Sequence, residues 1–292
     1  MLDTLNTING YVWGLPLIIL VLGTGILLTV RLGLIQVMKL PMALKLIFSA
    51  ESDGEGDVNS FKALCTALAA TVGTGNIVGV ATALKAGGPG ALFWMWLAAF
   101  FGMATKYAEC LLAVKFRKVD KNGNIAGGPM HYIEMGLGKN LAVLFAIFGI
   151  GSACLGVGTF AQINSIVEIT NIAAGIPTGY TGIALTILVA VITIGGIKSI
   201  ANVSEMVVPT MAGIYFVCTL GIIATHIDQL PNAISMVIDG AFNPTAAAGG
   251  FLGSSVMLAM RSGIARGIFS NESGLGSAPI VAAAAKTKWS AE

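Results

Sequence analysis

The chain has 292 residues, 55% of them hydrophobic and only 10% charged, against about 25% charged in an ordinary soluble domain, so it reads as an all-α, polytopic membrane protein. A net charge of +2, with no Lys/Arg-rich run interleaved with aromatics, argues against nucleic acid as a partner. Cys65, Cys110, Cys154 and Cys218 each fall in a hydrophobic stretch without CxxC spacing, which signals neither zinc nor a disulfide framework; they read as small apolar packing residues.

Residues 11–30 form the first candidate span, with Trp13 at one interface and Arg31 at the other. They are not a signal peptide, because the preceding segment carries Asp3 and no basic residue. Residues 40–48 predict a short amphipathic piece lying in the interface, edged by Lys39 and Lys45, and 51–57 (ESDGEGD) an acidic loop. Residues 60–90 then read as a membrane-spanning helix interrupted midway by Gly73-Thr74-Gly75-Asn76. In hydrocarbon each unpaired backbone N–H or C=O costs several kcal/mol, so such a turn persists only where it lines a protein-enclosed cavity. One half-helix then offers free amides and a partial positive charge, which suits a carboxylate, and the other offers carbonyls, which suit a cation.

A third span covers 91–116, and within it Lys106 and Glu109 lie three apart on one helical face, a spacing that permits an internal ion pair. That pair either holds the helix near the headgroups or has a coupling role. Residues 120–138 read as a polar loop, with His131 a loop residue rather than a metal ligand. The fourth stretch, 141–172, is interrupted by GVGTFAQINS at 156–165, where Gln162 and Asn164 either bond a neighbouring helix or line a cavity. Spans five and six cover 181–197 and 201–225, joined by a turn at Lys198, and Pro209 predicts a kink. A polar-to-small-residue loop, 226–249, leads to a seventh span over 250–285 that is broken at Arg266 to Ser277.

The basic residues fix an orientation. With the N-terminus outside, the inner ends and loops collect Arg31, Lys39, Lys45, Lys62, Lys115, Arg117, Lys118, Lys121, Lys139, Lys198, Lys286 and Lys288, while the outer side collects Lys85 alone. The two broken helices are then five spans apart and antiparallel, the sequence pointer to an inverted-repeat transporter with its site at the repeat interface.

Four stretches carry a family resemblance: TALAATVGTGNIVGVATALKAGGPGALFWMWLAAFFGMATKYAE, AGGPMHYIEMGLG, GGIKSIANVSEMVVP and RGIFSNESGLGSAPIVAAAA. In that order they resemble the alanine or glycine:cation symporters, the sodium:alanine symporter family, and the likeness covers nearly the whole chain. It implies a leucine-transporter-like fold with one extra N-terminal helix and two five-helix inverted repeats. It also implies symport of a small neutral amino acid, alanine or glycine, with Na⁺ as coupling ion, through a multi-pass protein of the cell membrane. The substrate residues carried over are Thr74, Gly75 and Asn76, then Gln162, then Phe269, Ser270 and Asn271. The expected organisation is 1–60 for the extra helix, interfacial helix and acidic loop, 61–225 for the first repeat, 226–249 for an extracellular loop and 250–292 for the first helix of the second repeat, with the chain truncated just past it.

Physical roles follow from the residues themselves. Amides of Gly75 and Asn76 suit a carboxylate; carbonyls around 269–271 and the Gln162 side chain suit an ammonium; glycine turns let backbone touch a ligand. The carbonyls of Val72 and Gly73 are candidates for part of a Na⁺ shell. Glu272 is either a site or coupling carboxylate or a structural partner of Arg266. No acid/base pair or metal cluster for an enzyme is present in any span. A fragment acting only as a membrane structural or interaction subunit, without transport, is the alternative reading.

Overall fold

The computed structural model describes residues 2–48, 54, 56–121, 124–155, 157–243 and 256–287. Part of the acidic run (51–53 and 55), Gly156, the start of the seventh span (250–255), and Lys288 lie outside the described residues.

Helix α1, Leu2–Val12, is followed by α2, Leu15–Arg31, whose first turn holds Pro16, where a missing N–H costs nothing. A left-handed turn at Gly33 and Leu34 leads into α3, Ile35–Met38, and α4, Leu40–Phe48, the helix expected over 40–48. The first broken helix is present. Its first half, α5 (Ser60–Thr71), is capped by Asn59, whose side chain accepts the Lys62 N–H at 2.7 Å. Val72 is extended, Thr74–Asn76 form a 3₁₀ turn, and α6 resumes at Val78–Gly87. The third span is α7, Gly90–Lys115.

Four stretches depart from the sequence reading. Residues 120–138 are no loop: β1 (Lys118–Val119) pairs antiparallel with β2 (Ile125–Ala126), and α8 (Pro129–Leu137) starts on Pro129 directly after Gly128, whose φ of 119° turns the chain. His131 therefore sits on a helix. The fourth stretch is α9 (Lys139–Leu155) and α10 (Val157–Ala174), and α10 is helical through Gln162 and Asn164, so the interruption over 157–165 is absent. Polar amides are tolerated in a helix whose own ladder stays intact. Spans five and six become α11 (Thr178–Ile194) and α12 (Gly196–Thr225); the turn lies at Gly195-Gly196, so Lys198 is helical, and α12 runs through Pro209. Within 226–249, a 3₁₀ turn and α13 (Leu230–Phe242, with Pro231 in its first turn) replace most of the expected loop. The second broken helix consists of α14 (Val256–Asn271) and α15 (Ser277–Ala283).

By length and composition, Gly10–Arg31, Gly90–Lys115, Lys139–Ala174 and Gly196–Thr225 can each cross a membrane, and the bent α5/α6 pair makes a fifth; α11, at 17 residues, is shorter. α9 to α12 leave much of their apolar surface exposed, which suits lipid.

The chain divides into two compact units, and both helix breaks fall on a division. The first unit is Met1–Leu46, Gly75–Glu109 and Met211–Gly276. In it α6 packs along α14 in antiparallel sense: Gly75, in the turn just before α6, meets Phe269 and Ser270, and the end of α6, at Gly87, meets Ala259. Its core joins Ile18, Ala98, Ile264 and Ile268, and a Cβ on Gly263 would collide with the Ala91 carbonyl. The second unit is Ile47–Thr74, Cys110–Thr210 and Ser277–Glu292. There α5 packs on α15, again antiparallel, since Val58 just before α5 bridges Ala285 just after α15. Val58, Ala63, Ala201 and Ala284 form its core, Arg117 donates to the Ala283 and Ala285 carbonyls at 3.2 and 2.9 Å, and Lys62 pairs with Glu205 at 3.3 Å.

Candidate functional site

The residues expected to form one site fall into two groups, one in each unit. In the second unit are Val72, Gly73, Thr74 and Gln162. Val72, at φ −93° and ψ 99°, has left the helix, although its N–H still donates to the Leu68 carbonyl at 2.7 Å. The last turn of a helix leaves carbonyls without intrahelical donors, and that pole of α5 is where the Val72 and Gly73 carbonyls emerge. The Gln162 side chain, from α10, comes against this turn: a Cβ on Gly73 would lie 3.2 Å from Gln162 Nε2. The half-buried Thr74 opens the 3₁₀ turn.

The first unit holds Gly75, Asn76, Phe269, Ser270 and Asn271. Ile77 precedes α6, and its apolar side chain caps none of the amides of the first turn. This is the electropositive pole of α6, and it abuts the electronegative pole of α14: a Cβ on Gly75 would stand 3.6 Å from Phe269 Cδ1 and from Ser270 Cα. Two opposite helix poles thus meet at one place, with Ser270 buried beside them. Neither Gly73 nor Gly75 has a positive φ, and a Cβ at 75 would make only ordinary van der Waals contact with Phe269 and Ser270.

At the second break the backbone does use unusual angles, with φ at 51° for Glu272, 85° for Gly274 and 82° for Gly276. Lys106 and Glu109 do not pair with each other. Lys106 Nζ donates to the carbonyls of Asn271 and Glu272, each at 3.2 Å, and Glu109 Oε2 accepts the Gly274 N–H at 3.1 Å. Their i, i+3 spacing suggested a mutual ion pair; the signal for the actual partners was the cost of two charges in an apolar helix that must find backbone poles to solvate them. The Asn271 carbonyl is thereby engaged by a fixed cation. Ser273, also buried, packs against Gly102, where a Cβ would approach its Oγ to 2.8 Å. Behind α14 a cavity of about 10 Å³, room for a single water, is lined by Ala98, Gly102, Ile268, Asn271 and Ser273 among others.

Helices apolar and long enough to cross a membrane, one of them bent at its break, with α6 packed on α14 and α5 on α15, mark a multi-pass membrane protein. The chain belongs to the sodium:alanine symporter family, whose family model matches residues 1–292. It is 59% identical over 285 residues to an uncharacterized transporter of Haemophilus influenzae, covering 97% of this chain and 62% of that protein. It is 51% identical over 289 residues to the sodium/alanine symporter AgcS of Methanococcus maripaludis, covering 97% and 63%. A second uncharacterized transporter of Haemophilus influenzae is 45% identical over 285 residues, covering 96% and 58%. The chain therefore spans about three fifths of the length of the curated relatives it matches.

Proposed function

We propose that the protein moves a small neutral amino acid, alanine or glycine, across the cell membrane together with Na⁺, in a leucine-transporter-like inverted-repeat fold whose N-terminus faces outside. The observation that carries this reading is the meeting of the α6 amide pole with the α14 carbonyl pole at Gly75, Phe269 and Ser270. A zwitterion with a tiny side chain presents both charges within a few ångströms, and adjacent poles of opposite sign match it without any charged side chain. The antiparallel pairing of α6 with α14 and of α5 with α15 is what two broken helices of inverted orientation produce. The helix-end carbonyls of Val72 and Gly73, with Thr74 beside them, give Na⁺ the hard oxygen ligands it prefers, and the Gln162 side chain adds a polar wall.

The test is uptake of labelled alanine into proteoliposomes. An inward Na⁺ gradient drives accumulation, and unlabelled glycine competes. Accumulation that follows a proton gradient with Na⁺ absent, or none at all, overturns the proposal. The topology has its own check: Lys85→Cys reacts with an impermeant thiol reagent in intact cells and Lys121→Cys does not, and the reverse pattern overturns the orientation.

A further inference from the structure

We propose that Lys106 and Glu109 are positioning residues for the cargo site, an electroneutral clamp that holds the second break open and so leaves the Ser270 carbonyl available to the substrate ammonium. The proposal rests on the functional reading above. It starts from what a continuing helix would do. If α14 ran on past Asn271, the N–H of Gly274 would donate to the Ser270 carbonyl, that of Leu275 to Asn271 and that of Gly276 to Glu272. The structure gives these groups other partners. Glu109 Oε2 takes the Gly274 N–H at 3.1 Å, and Lys106 Nζ donates to the Asn271 and Glu272 carbonyls, each at 3.2 Å.

Two consequences follow from this exchange. The carbonyls that point toward α7 are satisfied by a permanent cation, so they do not compete for the cargo. The carbonyl of Ser270, whose ladder donor Glu109 has removed, stays at the place where the poles of α14 and α6 meet, with its Cα 3.6 Å from where a Gly75 Cβ would lie. Because Glu272 holds a φ of 51° that a side-chain-bearing residue rarely adopts, the break needs an external hold, and two opposite charges one turn apart on α7 provide it without leaving net charge in an apolar helix. Neither residue touches cargo in this scheme; each acts through the backbone of 270–274.

The experiment compares Lys106→Met, which keeps length and removes all donors, with Lys106→Arg, and Glu109→Met with Glu109→Gln, which keeps an acceptor. Two readouts are taken on each. In Na⁺-driven alanine uptake, normalised to inserted protein, Lys106→Met and Glu109→Met raise KM by about 10- to 100-fold, the effect of losing a charge-assisted hydrogen bond, while Lys106→Arg and Glu109→Gln recover most of it. Independently of transport, Ser273→Cys in a chain whose four cysteines are replaced by alanine reacts slowly with N-ethylmaleimide because position 273 is buried, and adding Lys106→Met or Glu109→Met speeds the reaction at least tenfold. Unchanged labelling in both Met variants overturns the clamp. Faster labelling with unchanged KM overturns the positioning role. If the unsubstituted protein shows no Na⁺-driven uptake, the functional reading falls, and the labelling alone decides the clamp.

Discussion

The two broken helices interrupt the same kind of element by different means. The first break, between α5 and α6, has ordinary backbone angles; a Cβ on Gly73 would press on the Gln162 amide in one unit, and side chains branching beyond a Cβ at Gly75 would meet Phe269 and Ser270 in the other. The second, between α14 and α15, lies in left-handed backbone at Glu272, Gly274 and Gly276 and is tied to α7 by one cation and one carboxylate. Glycine at the first break answers to proximity, and at the second to conformation. The same substitution therefore has different consequences at the two places.

The largest effect belongs to Gly75→Val, which sets a branched side chain into the contact with Phe269 and Ser270: uptake falls below detection while the protein still inserts, and near-normal uptake would break the proximity account of the first break. Next come Asn76→Ala and Gln162→Ala, each removing a polar group from the proposed cargo-binding residues, with affinity for alanine falling about 5- to 150-fold in equilibrium binding. Equal affinity in both variants and in the parent would remove these two residues from the site. Smaller again are changes in stability at the second break. Gly274→Ala, at φ 85°, costs about 1–2 kcal/mol, and Glu272→Gly regains about 1 kcal/mol by relieving a left-handed side chain. Gly73→Ala, with no such angle, leaves the melting temperature nearly unchanged but displaces Gln162, so a thermal-shift series over these three variants separates conformation from proximity.

The smallest effect lies outside both breaks, at the exposed pair of Lys118 and Glu134. The Lys118 hydrogen bond, 2.9 Å long, holds the Glu134 carboxyl below the usual carboxylate range. A depressed folded value means the contribution is present above the unfolded carboxylate pKa and fades as pH falls through the folded one. Glu134→Gln shifts the melting point by less than about 2 °C at pH 7, and the difference vanishes in strong acid; a larger shift would mean that this hairpin and α8 carry more of the fold than the pair's exposure suggests.

Much of this was legible in the sequence because membranes punish irregular backbone. Gly73-Thr74-Gly75-Asn76 inside an apolar stretch, and SNESGLG inside another, announce breaks that no amphipathic pattern explains away, and both are present. The interruption over 157–165 was misread because Gln162 and Asn164 resemble the polar residues of a break, whereas an intact helix simply carries them. α8 and α13 were misread as loops because at nine and 13 residues they are too short to register as spans; Pro129 and Pro231 in their first turns were the better cue. Hydrogen-bond partners of Lys106 and Glu109 were beyond the sequence, since they are backbone groups more than 160 residues away and a backbone carbonyl has no one-letter code.

The glycines of the first unit also set how the protein tolerates random change. A Cβ on Gly90 would collide with the Gly240 carbonyl, one on Gly263 with that of Ala91, and one on Gly25 would come within 2.8 Å of the Phe101 carbonyl. Every amino-acid replacement reached from a glycine codon by one base change adds at least a methyl group, so none of these positions has a harmless neighbour in the genetic code. Inactivating single-base changes will therefore concentrate as much along these silent seams between helices as in the polar turns of the two breaks.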